Sequence, residues 1–83
     1  MKKELIDLFK KIEQVKSSRI EELSGEECEL LCIQTAAIIK SCHIWITITQ
    51  IEGDEESRQK LSDQIKILKE RKESLKKKAF EEF

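Results

Sequence analysis

Three cysteines and a single histidine are the residues of this 83-residue chain best suited to chemistry. Cys28 and Cys32 are four apart, so on a helix they share a face and offer two thiolates to a soft metal ion. Cys42 and His43 would complete a four-ligand zinc site by type, but not by place. On a straight helix Cys42 lies roughly 21 Å along the axis from Cys28, too far to share one ion within a chain. Small buried hydrophobes are the expectation, with no metal and no cofactor. An odd number of thiols in one apolar run also suits reduced cysteines better than a disulfide framework. His43 has no acidic neighbour on its own face. Nor does the sequence hold a glycine-rich phosphate loop, a nucleophile elbow or paired carboxylates in apolar surroundings. The chain is expected not to be an enzyme.

Positive charge is the second candidate for chemistry. Residues 66–78 contain Lys66, Lys69, Arg71, Lys72, Lys76, Lys77 and Lys78 against Glu70 and Glu73, a local excess of five. A basic helix of this kind can track phosphates, with Lys69, Lys72, Lys76, Lys77 and Lys78 as its contact residues. Aromatic residues do not interleave with it before Phe80, and a single arginine leaves little for base readout. A solvated, salt-bridged face is the better reading, and nucleic-acid binding the alternative. Across the whole chain, 16 Lys+Arg against 17 Asp+Glu leave a net charge of −1, so no global field attracts a polyanion or a membrane.

The elements that must position these residues follow from periodicity. With no proline and glycine only at Gly25 and Gly53, the sequence is cut into three long segments. In residues 2–23, Leu5, Leu8, Phe9, Ile12, Val15, Ile20 and Leu23 fall on one face of a helix, opposite lysines and acids. Ser24-Gly25-Glu26-Glu27 is a capping box for a second helix over 25–52, with Leu23 placed to staple onto Cys28. Gly53 is a natural end for that helix, and Asp54 caps a third over 55–82 through Leu61, Ile65, Leu68, Leu75 and Ala79. Ile44-Trp45-Ile46-Thr47-Ile48-Thr49 alternates like a strand, but a lone strand between helices has no partner, and helix is expected. Short connections force antiparallel neighbours. Residue 27 then lies across from about residue 78, so Glu26, Glu27 and Glu29 meet Lys76, Lys77 and Lys78. The same register leaves Phe80 and Phe83 either packed back over the Ser24-Gly25 turn, which is favoured, or forming a docking tail. The expected fold is all-α: one domain, residues 1–83, of three long antiparallel helices that associate into a larger bundle.

Leu30 to Ile51 is long enough to span a membrane, but Lys40 lies near its midpoint and acids flank it without a belt of Lys or Arg. A buried helix, no membrane and a cytoplasmic protein are expected, since charges also interrupt any signal-peptide core near the start. The informative feature is that this helix carries two apolar stripes. Cys28, Leu31, Cys32, Ile38, Ile39, Cys42, Trp45 and Ile46 form one. Leu30, Ile33, Ala37, Ile44, Ile48 and Ile51 form the other, on roughly the opposite side. Helix 1 is too short, and the stripe of helix 3 too narrow and interrupted by Lys72, to cover both. Exposing aliphatic side chains forfeits about 1.5–3 kcal/mol each, so the second stripe is expected to bury a partner: a second copy or another helical protein.

The expected function is a small non-enzymatic protein-interaction module acting as adaptor, chaperone or inhibitor. Its general format resembles small chaperones that hold secretion substrates in bacteria, immunity and antitoxin proteins, and phage-encoded regulators. That resemblance is one of architecture and carries no site residues across. A secretion-substrate chaperone is a named alternative beside the nucleic-acid regulator.

Overall fold

Ser24 and Gly53 set the geometry of the chain. In the computed structural model, which describes residues 2–81, α1 spans Lys3–Ser17, α2 spans Gly25–Glu52 and α3 spans Glu55–Glu81. A short 3₁₀ turn, Ile20–Glu22, lies between α1 and α2. The capping box closes as expected: the Glu27 backbone N–H donates to Ser24 Oγ at 3.1 Å, and the Ser24 N–H donates to Glu27 Oε1 at 3.0 Å. Gly53 ends α2 in the left-handed region (φ 76°), a conformation that costs glycine nothing. One residue later Asp54 accepts from the Ser57 N–H at 3.1 Å and starts α3. The chain is all-helical, and no strand occurs among the described residues.

The turn at Gly53 folds α2 and α3 into a long antiparallel hairpin, and α1 packs onto both. Two clusters fill the interior. Leu5, Leu8, Ile12 and Val15 of α1 join Ile39 and Cys42 of α2 and Leu61, Ile65 and Leu68 of α3, with Phe9, Trp45 and Ile46 at the margin. Beyond the end of α1, Cys28, Leu75 and Ala79 form a smaller cluster that Ile20, Leu23 and Cys32 close. Residues 44–49 are helical. Their period-two look comes from a helix with apolar residues on two sides: Ile44 turns outward, while Trp45, Ile46 and Thr49 turn inward.

The first helix is shorter than its periodicity predicts. It stops at Ser17, and Ser18 is extended (φ −67°, ψ 140°), so residues 18–23 do not continue the helix. Both serine hydroxyls turn back onto α1 carbonyls, Ser17 Oγ to Gln14 O at 3.0 Å and Ser18 Oγ to Val15 O at 2.6 Å, which competes with helix continuation. Arg71 of α3 then donates through Nη2 to Ser18 O and, at 3.0 Å, to Ser18 Oγ. Lys78 Nζ donates to Ile20 O at 2.8 Å. Leaving the helix lets Ile20 and Leu23 drop onto the second cluster, which a straight α1 would not cover. At its other end α1 is tied to the end of α2 by the Lys2–Glu52 ion pair, and Lys60 of α3 lies 4.4 Å from the Phe9 ring centroid.

Replacing Arg71 by alanine removes both bonds to Ser18. The expected result is a loss of about 1–3 kcal/mol of unfolding free energy, with faster amide exchange confined to residues 17–23. Urea titration and exchange mass spectrometry read the two effects separately.

Candidate functional site: the outward face of the second helix

Rotation along α2 assigns each apolar stripe its surroundings. The inner stripe packs: Cys28, Ile39 and Cys42 are buried, and Leu31, Cys32, Ile38, Trp45 and Ile46 half-buried. Two polar residues lie among them that periodicity of apolar residues passes over. Thr35 and Thr49 are fully enclosed, because each hydroxyl returns to its own helix, Thr35 Oγ1 to Leu31 O at 2.7 Å and Thr49 Oγ1 to Trp45 O at 2.8 Å. A threonine bonded this way presents only its methyl group to a neighbour. Reading i−4 carbonyl reach into the sequence would have found both.

The outer stripe is mostly open to water, with Ile33 at the edge toward α3 and Ala37 at the edge toward α1. Leu30 is 58% exposed, Ile33 62%, Ile44 54% and Ile51 82%. Ala37 is exposed as well, and Ile48 is half-buried. At the Ile33 end the stripe dips into a cleft of about 310 Å³ between α2 and α3. Cys32, Ile33, Ala79 and Phe80 give its apolar lining, and Glu29, Lys72 and Lys76 its charged rim. Phe80 does not fold over the Ser24-Gly25 turn. It is 69% exposed, because Ala79 takes the inward position four residues after Leu75 and turns the next side chain out. Phe83 lies outside the described residues.

The basic residues of α3 do not form one face. Lys72 is half-buried at the cleft, Lys76 shares its rim, Lys69 and Lys77 are exposed, and Lys78 lies on the opposite flank, bonded to Ile20 O. Arg71 is committed to Ser18. The expected meeting of α2 acids with α3 lysines is seen at Glu29 beside Lys72 and Lys76, and at Glu27. The Ser24 N–H and hydroxyl hold the Glu27 carboxyl below its ordinary pKa, and Lys78 adds to the effect.

No protein-family model matches the chain, and neither curated proteins nor solved structures give a match. The site therefore rests on its own chemistry. No group of three or more metal-ligating side chains converges among the described residues. His43 is an exposed helix residue. Cys28 and Cys42 are enclosed, and burial pushes the Cys42 thiol up to about 11, so it stays protonated at neutral pH and is a poor nucleophile. Cys32 is half-buried and its Sγ lies 3.7 Å from Lys72 O.

The raised Cys42 pKa has a definite sign for stability. Below pH 9 folded and unfolded chains both carry the thiol proton. Between about 9 and 11 only the unfolded chain loses it, so unfolding becomes easier as pH rises. The expected loss across that window is on the order of 2 kcal/mol. Cys42→Ala, compared with the parent by urea titration at pH 8 and pH 11, should lose less of its stability over the same interval.

Proposed function

We propose that this protein is a small non-enzymatic interaction module that works by burying the outward stripe of α2 against a partner. The observation that carries the reading is the exposure of Leu30, Ile33, Ala37, Ile44 and Ile51 along one face of a helix whose other face is already packed. Soluble chains keep large contiguous apolar patches for contact. A helix that presents anchors at steps of three, four and seven residues fits the groove-and-helix or helix-and-helix mode of recognition. Adaptor, chaperone and inhibitor roles all use such a surface.

Phosphate binding by α3 has less support, because Lys72 and Lys76 rim the cleft, Lys69 and Lys77 are exposed, and Lys78 is bonded to Ile20 O on the opposite flank. A cytoplasmic location is part of the proposal. Among the described residues α2 is the one helix long and apolar enough to cross a membrane, and a core helix of a soluble protein has the same length and composition. Lys40 in its middle, and its inner face packed against two amphipathic helices with charged outer surfaces, support the soluble reading.

Light scattering and binding of a hydrophobic dye test this together. The purified, reduced chain should either associate or light the dye. The double substitution Ile33→Lys and Ile44→Lys should do neither while its circular dichroism stays helical, since both positions already face water. A parent chain that remains monomeric and leaves the dye dark sinks the proposal.

A further inference from the structure

We infer that the occupant of the outward stripe is a second copy of this chain, with the two α2 helices running antiparallel about a two-fold axis near Lys40 and Ser41. This deepens the interaction-module reading and rests on it.

The first support is spacing. Leu30, Ala37, Ile44 and Ile51 recur every seven residues, the period of one position of a helix-pairing seam, and Ile33 and Ile48 flank that line while Lys40 and Thr47 take the intervening places. The second is how that seam meets itself. In the antiparallel register Leu30 faces Ile51, Ile33 faces Ile48 and Ala37 faces Ile44, and each pairing occurs twice. The one small residue of the seam thus opposes a large one. A parallel pairing sets Ala37 on Ala37 and opens a void where close packing is needed.

The cleft supplies a third match. Ile51 is the most exposed large aliphatic side chain, and the antiparallel register carries Ile51 of the second copy to the Glu29–Ile33 end of the seam. There it overlies the apolar cleft lined by Cys32, Ile33, Ala79 and Phe80. A knob of branched hydrocarbon and a cleft of about 310 Å³ then meet at both ends of the dimer.

The antiparallel pair also brings opposite charges together. A two-fold axis lying in the interface, perpendicular to α2, keeps α3 beside α3. Lys72 and Lys76 then approach the acidic turn of the second copy, Glu52, Asp54, Glu55 and Glu56, which Glu26 and Glu29 also face. In the antiparallel pair the two Lys40 side chains flank the axis, and their stems reach the rim with the ammonium groups in water.

The experiment is solution mass by sedimentation, joined to an electron spin distance from a nitroxide amino acid placed at position 26. The expected mass is twice the 9.8 kDa of the chain. The expected spin separation is roughly 40 Å, because position 26 lies nearly a full helix length from its copy. Ile44→Lys and, independently, Ile51→Lys should each raise the dimer dissociation constant at least about 100-fold with helicity unchanged. A dimer with spins near 10–15 Å overturns the antiparallel arrangement. A dimer insensitive to both lysines overturns the seam. A monomer that binds the hydrophobic dye overturns self-pairing while leaving the interaction surface intact, and a monomer that does not bind it overturns both.

Discussion

A helix apolar on two opposite faces cannot be satisfied by two neighbours that lie on the same side of it. That constraint governs this molecule. The Gly53 turn folds α3 back along α2, and the bonds from Arg71 and Lys78 hold the end of α1 and its following turn against the same side of the hairpin. The inner stripe of α2 is thereby filled, and the outer one is left to water by the same geometry. The cysteines of α2 follow the same division: Cys28 and Cys42 are enclosed on the inner side, and Cys32 reaches the cleft at its edge.

Much of this was legible in the sequence. The capping box at Ser24 and Glu27, the glycine stop at Gly53 and the cap at Asp54 are local signals whose bonds involve only residues within one turn, so they read directly. The two stripes of α2 were legible too, since their separation depends on helical period alone. The end of α1 was not. Ser17 and Ser18 are only weak helix stops by themselves, and what makes the break permanent is an arginine 53 residues away. Apolar periodicity runs through Ile20 and Leu23 regardless, because those residues are buried after all, in a different cluster and from a different backbone.

Two further features of the site escaped for related reasons. Thr35 and Thr49 are polar by name and apolar in effect, since their hydroxyls are spent on their own helix. A hydropathy count places them with the solvent, where they do not belong. The basic run of α3 shows the reverse. As a string of letters it is one patch, yet consecutive lysines on a helix point in different directions, and a partner element on each flank divides them. Charge counted along a chain overstates charge presented on a surface.

The interior is built as two clusters in series, and Leu31 is in contact with both. The larger holds residues from all three helices and lies toward the Gly53 turn. The smaller holds Cys28, Leu75 and Ala79 under the short 3₁₀ strap, at the end where the hairpin is open. The molecule consequently has a broad core at one end and a thin one at the other. The cleft beside Cys32 and Phe80 sits at the thin end, where few buried side chains lie beneath it.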